Sequence, residues 1–171
     1  MRQVVYSVAM SLDGYIAGPR GESDWILIDP EIDFNAIFAR FDVILMGRKT
    51  YEMTRTSQGG GSTPGIESYV FSRTLRQADC RGVIVSDNPS QTVSELKKRS
   101  GKDMWLFGGG QLFRSLLELG HVDRVSVAII PVLLGGGLRL LPDSTRRAEL
   151  QLVEHQTYAK TGTVSLEYAV T

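Results

Sequence analysis

The sequence predicts one α/β domain in three layers: a mostly parallel central sheet between helices, finishing in antiparallel strands. Three observations predict it. Apolar runs such as Val43-Ile44-Leu45-Met46 and Met104-Trp105-Leu106-Phe107 end at glycine and pass directly into a helical pattern. Apolar runs and helical stripes alternate through the middle of the chain, which favours parallel strands joined by crossovers. Leu150 to His155 and Val164 to Val170 instead alternate with period two, like an antiparallel hairpin. A chain of 171 residues, 42% hydrophobic, can bury one substantial core and is short for two, so residues 1–171 read as a single domain.

Taken in order, Val4 to Met10 is a strand of apolar and small residues, punctuated by Asp13-Gly14 before Tyr15-Ile16-Ala17. Gly18-Pro19-Arg20-Gly21 breaks the chain again. From Asp33 to Arg40, the spacing of Phe34, Ile37, Phe38 and Phe41 predicts a short amphipathic helix. Val43 to Met46 is a buried strand, Arg48-Lys49-Thr50-Tyr51-Glu52 a helix entry, and Ser57-Gln58-Gly59-Gly60-Gly61-Ser62 a loop. Tyr69 to Ser72 and Val83 to Ser86 are short strands, and Thr92 to Arg99 is a helix with hydroxyl caps. Met104 to Phe107 is a strand turned by Gly108-Gly109-Gly110. Leu112, Leu116, Leu117 and Leu119 form the stripe of the helix that follows, ending at Gly120. Val125 to Leu134 is strand-like, and Pro131 within it predicts an edge or a bulge.

Charge and cysteine usage narrow the function classes. Lysine plus arginine and aspartate plus glutamate both number 19, so no overall field favours nucleic acid or an anionic membrane. The one cysteine, Cys80, allows no internal disulfide, and no His/Cys cluster has zinc spacing. No stretch approaches the roughly 18 apolar residues of a membrane span, and the N-terminus lacks an apolar signal segment. The expectation is a cytoplasmic protein with a small-molecule substrate and no metal.

Three turns carry the chemistry, each at the carboxyl end of an apolar strand, where open α/β sheets hold ligands. At Gly47-Arg48-Lys49-Thr50 a glycine permits close approach, amides face an anion, and two cations and a hydroxyl can neutralise phosphate. At Ser72-Arg73-Thr74 a guanidinium between hydroxyls suits a ribose phosphate, pointing to NADP over NAD. At Gly108-Gly109-Gly110-Gln111 three glycines cost backbone entropy unless something comes close, and a pyrophosphate is the natural candidate. Phe113 stands where the third glycine of the usual dinucleotide fingerprint belongs. Each turn has a competing reading as an ordinary surface turn.

Nearly the whole chain resembles the dihydrofolate reductases and, more closely, the reductase domain at the C-terminus of the riboflavin-pathway bifunctional deaminase-reductase. The pieces that carry the resemblance come in family order. They are Ser11-Leu12-Asp13-Gly14-Tyr15-Ile16-Ala17, Met46 to Glu52, Val70 to Arg73, Phe107 to Leu112, and Ile130 to Gly137. The resemblance implies a dihydrofolate reductase-like fold and NADPH as cofactor. Gly47, Arg48, Lys49, Thr50, Ser72 and Arg73 would then lie toward the adenosine phosphates. Gly108, Gly109, Gly110, Gln111 and Leu112 would face the pyrophosphate and nicotinamide ribose, with Ala9 and Ile16 along the nicotinamide. The segment from Ser11 to Gly21 would close over the site. Relatives of this architecture are often homodimers, and an exposed-edge character of the Val125 to Leu134 strand would suit pairing.

The activity expected is hydride transfer from NADPH to a C=N or C=O bond of a small heterocyclic substrate. The alternatives are reduction of the ribosylaminopyrimidine intermediate of riboflavin synthesis, reduction of dihydrofolate, and a nucleotide-binding protein without turnover. Dihydrofolate reductases carry an acid on the first helix, and Asp33 or Glu31 is the nearest candidate, although both also suit a helix N-terminus. The zinc deaminase partner of the riboflavin enzyme is not in this sequence. His121 reads as a helix-end residue, Trp105 as core, Trp25 as core or a stacking platform, and Cys80 as a small apolar residue. Arg139, Arg146 and Arg147 are open to a surface or an oligomer role.

Overall fold

The computed structural model describes residues 1–56, 65–143 and 147–171; the Ser57–Ser62 loop and Arg146 lie outside them. Among the described residues ten strands and four α-helices alternate. They are β1 (Val4–Ser11), β2 (Tyr15–Ala17), α1 (Phe34–Ala39), β3 (Phe41–Gly47), α2 (Arg48–Thr56), β4 (Glu67–Phe71), β5 (Ile84–Ser86), α3 (Pro89–Lys98), β6 (Asp103–Gly108), α4 (Gly110–Glu118), β7 (Arg124–Ile130), β8 (Leu138–Arg139), β9 (Leu150–Tyr158) and β10 (Thr163–Val170).

Eight strands form one sheet in the order β5-β4-β3-β6-β1-β7-β10-β9. Pairing is parallel from β5 through β7, and β10 runs antiparallel to both neighbours. The expected three-layer α/β fold with antiparallel C-terminal strands is therefore observed. A second ribbon joins β2 to β8, fastening the first loop to the Gly135–Gly137 turn.

Strand alternation divides the core between two faces. One face buries Val4 and Tyr6 of β1, Val43 and Leu45 of β3, and Met104 and Leu106 of β6 beneath Val93 and Leu96 of α3 and Leu112, Phe113 and Leu116 of α4. Each such side chain, when fully covered, contributes roughly 1.5–3 kcal/mol. The other face packs Ile44, Met46 and Val70 against Tyr51 of α2 and Cys80, with Trp105 and Phe107 at its margin. The stripe predicted for α4 is thus the one that meets the sheet.

Three local expectations are corrected. The helix after Asp33 forms, but it buries none of its residues, and Phe41 opens β3 instead of extending the helix. β7 lies between β1 and β10 and is not an edge; it stops at Ile130, so Pro131 removes no hydrogen bond from its ladder. The edge is β9, eight of whose nine residues, Leu150 to Thr157, are exposed and which bulges opposite Glu167/Tyr168. α3 is capped by the Asn88 side chain, which accepts from the Gln91 amide at 3.1 Å, with Pro89 in the first turn.

Candidate active site

The topology places a crevice between β3 and β6. From β3 the chain moves outward through α2 to β4, and from β6 it moves the other way through α4 to β7, so neighbouring parallel strands send their helices in opposite directions. Ligands settle at such a switch point, outside the carboxyl ends of the strands. Gly47 and Gly108 meet there: a Cβ on Gly47 would lie 3.8 Å from the Gly108 carbonyl oxygen and 3.9 Å from the Gly109 nitrogen. Neither α2 nor α4 has an acid in its first turn, and α4 starts at Gly109 without a side-chain cap, whereas α1 and α3 are both capped. Its first amides therefore face the crevice unpartnered by any capping side chain.

The residues expected around a dinucleotide gather along this edge. Arg48 and Lys49 are exposed on the first turn of α2, and Arg48 pairs with Glu52 at 3.1 Å on the helix surface. Thr50 lies beside Gly109, whose added Cβ would stand 3.6 Å from the Thr50 hydroxyl. Ser72 shapes its own turn, its hydroxyl accepting from the Thr74 and Leu75 amides at 3.1 and 3.0 Å. Arg73 is exposed and has no partner among the described residues. Gln111 is exposed, and Leu112 is buried beneath Gly47. Ala9 and Ile16 are half-buried at the end of β1 and on β2.

The three glycines serve different ends. Gly108 takes φ +129°, a conformation that favours glycine, and a Cβ there would meet nothing within 4 Å, so the space beside it is open to a ligand. Gly110 is required by the protein itself: its Cβ would sit 2.8 Å from the Arg139 carbonyl oxygen. The Gly135–Gly137 turn is held similarly. Asp13 accepts from the Gly135 and Leu134 amides at 2.7 and 3.1 Å and from the Ser11 hydroxyl at 2.6 Å. The Ser11 hydroxyl and these amides hold the Asp13 carboxyl below its usual range against the opposing effect of burial.

The acids near the first helix have other partners. Asp33 caps α1, accepting from the Ala36 amide at 3.0 Å, and Glu31 is exposed and pairs with Lys160 at 3.3 Å. Asp29, not singled out from the sequence, is fully buried. It accepts from the Glu31 amide at 2.9 Å, from the Thr161 amide at 3.1 Å and from the Thr161 hydroxyl at 3.0 Å, tying the segment before α1 to the β9–β10 turn. The Glu31 amide, followed by Thr161 and Lys160, holds its carboxyl below the ordinary range although burial opposes this. Arg139 pairs with Asp143 at 3.1 Å, and Arg147 is exposed. Trp25 is half-buried and donates to the Glu22 carbonyl at 3.1 Å, while His121, shortly after α4, lies 2.8 Å from the Ser90 hydroxyl in the first turn of α3.

Sequence reading missed the row of aromatic side chains beside α1. Ser7 pairs with Ser126 and Ala9 with Ala128, while Ala128 and Ser126 pair across to Ser165 and Glu167, so these positions share one face of the sheet. Trp105 faces the same way and is half-buried, not core as expected. Its indole N–H donates to the Ser7 carbonyl at 2.9 Å, and its ring lies 5.3 Å from Phe38, 5.8 Å from Phe41 and 4.9 Å from Phe107. Phe34 continues the row at 6.0 Å from Phe38. Glu167, on the same face, accepts from the two terminal guanidinium nitrogens of Arg40 at 2.9 and 3.1 Å and from Arg124 at 2.5 Å. The available signal was the period-two pattern of Met104 to Phe107, which puts Trp105 and Phe107 opposite Met104 and Leu106.

The three-layer α/β fold, with its crevice at the β3/β6 switch point, is the fold of the dihydrofolate reductases. The RibD C-terminal domain model matches residues 2–164, and the chain belongs to that family. Bacillus subtilis YyaP is 35% identical over 98% of this chain and 94% of its own length. The riboflavin biosynthesis protein RibD of Mycobacterium tuberculosis is 26% identical over 82% of this chain and 45% of its own length. Among solved structures, a Shewanella sp. PV-4 protein superposes with a TM-score of 0.84 at 24% identity, covering 100% of this chain and 99% of that one. Dihydrofolate reductase from Enterococcus faecalis, solved with NADP(H), superposes at 0.73 and 16% identity, covering 99% and 96%. The family supports a reductase. No described helix is long and apolar enough to cross a membrane.

Proposed function

We propose that this chain is an NADPH-dependent reductase that delivers hydride to a C=N or C=O bond of a small heterocyclic acceptor. The observation that carries the reading is the β3/β6 crevice, with the uncapped start of α4, the open space at Gly108 and a cationic first turn on α2 converging on it. That donor set fits a dinucleotide: amides for a pyrophosphate, and Arg48, Lys49 and Arg73 for a phosphate on the adenosine ribose. NADPH bound here would supply the hydride. The chain's own contribution would be position: Ala9 and Ile16, half-buried on β1 and β2, would lie along the nicotinamide, and the Asp13 and Asp29 hydrogen bonds hold the neighbouring loops in place. Asp29 is held ionised and so is no proton donor at neutral pH; water supplies the proton to the acceptor heteroatom. Reduction of a ribosylaminopyrimidine phosphate, as the name of the Mycobacterium relative's pathway would suggest, is the narrower reading within the same chemistry.

The test is a fluorescence titration with NADPH and NADH of the unaltered protein and of Arg48→Ala and Arg73→Ala. The expected result is tighter binding of NADPH, with the preference reduced in each variant. Failure of both cofactors to bind refutes the proposal, and tight binding without oxidation across a substrate screen favours a nucleotide-binding protein without turnover.

The same reading includes a homodimer. The β9 edge offers unpaired backbone groups beside exposed Leu150, Leu152 and Val153, the combination that invites pairing with a second copy.

A further inference from the structure

We propose that Met53 is a site of reversible oxidation by hydrogen peroxide, and that its sulfoxide releases the Gly18–Glu22 turn from α2. The turn and the thioether stand apart from the reductase reading; only the effect on NADPH rests on it.

The segment after β2 bridges two helices. The β2–β8 ribbon lies against the start of α4: Tyr15 pairs with Arg139, whose carbonyl oxygen would stand 2.8 Å from a Cβ on Gly110. Beyond β2 the chain folds into a tight turn. The Gly21 amide donates to the Gly18 carbonyl at 3.0 Å, the Gly18 amide to the Glu22 carbonyl at 2.9 Å, and the Arg20 amide to the Glu22 carboxylate at 2.7 Å. These hydrogen bonds are internal to the turn. Contact with α2 is made at Gly21, φ +89°, where a Cβ would lie 3.1 Å from the Met53 methyl carbon and 3.5 Å from its sulfur. The anchors therefore stand on α4 and α2, the helices that leave the β3/β6 crevice in opposite directions.

The anchor on α2 is open to chemical change. Of the five methionines, Met46 and Met104 are 2% and 0% exposed, and Met10 is half-buried on β1. Met53 is 49% exposed; Met1, also open, precedes β1 at the opposite end of the sheet. Peroxide thus reaches Met53 ahead of the methionines whose oxidation would damage the core. The thiol of Cys80 is buried and shielded in the same way.

The step is a transfer of oxygen. A lone pair of the Met53 sulfur attacks one peroxide oxygen, the O–O bond breaks and an S–O bond forms. The transferred oxygen gives its proton to the departing hydroxide, which leaves as water; sulfur is oxidised and peroxide reduced. The product is polar and calls for hydrogen-bond partners, whereas Gly21 presents only its Cα to the sulfur. An oxygen added on the turn side also needs room that the close contact does not leave, so the apolar anchor is lost. Methionine sulfoxide reductases restore the thioether, which makes the change reversible.

The test treats the purified protein with increasing hydrogen peroxide, mapping oxygen uptake by peptide mass spectrometry beside amide exchange over the turn. Met53 should gain oxygen before Met10, Met46 and Met104, and exchange at the Gly18 and Gly21 amides should quicken at least about threefold while β1 stays protected. Met53→Leu, similar in volume and inert to peroxide, should keep slow exchange throughout, and Met53→Gln should exchange quickly without peroxide. Oxidation of the buried methionines first, oxidised Met53 with unchanged exchange, or an equal peroxide response in Met53→Leu overturns the proposal. Oxidation should also weaken NADPH binding in the unaltered protein and leave it unchanged in Met53→Leu. If NADPH binds neither the oxidised nor the untreated form, the reductase reading fails, and the exchange result decides the oxidation site by itself.

Discussion

Replacing Glu167 by glutamine tests how the Arg40–Glu167–Arg124 cluster is held together. Glu167 is 6% exposed on β10 and receives three charge-assisted hydrogen bonds, from Arg40 at 2.9 and 3.1 Å and Arg124 at 2.5 Å, which join α1 and β7 to the C-terminal hairpin. The amide keeps the shape but leaves the two guanidinium groups without the carboxylate they share. Breaking a fully buried pair costs roughly 3–5 kcal/mol, and because the arginines are partly solvated we expect about 3 kcal/mol at pH 7. For a domain of this size that lowers Tm by about 6–12 °C.

The pH dependence gives an independent check. Burial opposes ionisation, but the Arg40 and Arg124 hydrogen bonds outweigh it and hold the folded carboxyl below its ordinary value. Near pH 4 the unfolded chain therefore binds more protons than the folded one, so stability rises with pH there. The contribution is complete above the unfolded pKa, about 4.3, and is lost as pH falls through the lower folded value. Urea unfolding of both proteins across pH 2–7 should show a gap that is widest at neutral pH and closes in acid. A loss below about 1 kcal/mol at pH 7, the size of a surface ion pair, or a gap that is unchanged at the acid end, refutes the argument.

Gly137 takes φ +143° and a Cβ there would stand 2.2 Å from the Ala17 carbonyl oxygen, so Gly137→Ala should cost roughly 2–4 kcal/mol in urea unfolding and speed amide exchange across the β2–β8 ribbon. The Tyr6 hydroxyl is buried without a hydrogen-bond partner among the described residues while its ring stacks on Phe113 at 3.9 Å. Tyr6→Phe should therefore raise stability, by about 1 kcal/mol, and a loss in calorimetry would show that the hydroxyl is satisfied. Light scattering should find twice the 18.9 kDa of one chain, and Leu152→Lys, on the exposed β9 edge, should return it to the single-chain mass without lowering Tm; a monomeric unaltered protein excludes pairing.

Local pattern carried most of the fold because its signals are short-range. The apolar runs at Val43–Met46 and Met104–Phe107 could only be buried strands, and the glycine and cation clusters after them had to fall at strand ends. The ordering of strands made these clusters a site: β3 and β6 are adjacent, although 55 residues separate the end of the first from the start of the second. Errors arose where one spacing served two geometries. Phe34, Ile37, Phe38 and Phe41 fit a helical stripe, yet Phe41 is a strand residue and Phe34 and Phe38 join an aromatic row with Trp105. Pro131 suggested an edge within β7, whereas it lies just beyond the end of an internal strand.

The sequence by itself determined an α/β domain with a nucleotide-type set of turns, because backbone freedom at glycine, side-chain charge and hydrophobic period are properties of neighbouring residues. Only the tertiary structure decided that Asp29 grips Thr161, that Arg40 and Arg124 share Glu167, and that Trp105 turns its indole to Ser7 beside two exposed phenylalanines. Those contacts join residues 43 to 132 positions apart, and no local preference encodes a pairing whose energy appears only when the sheet brings its distant strands together.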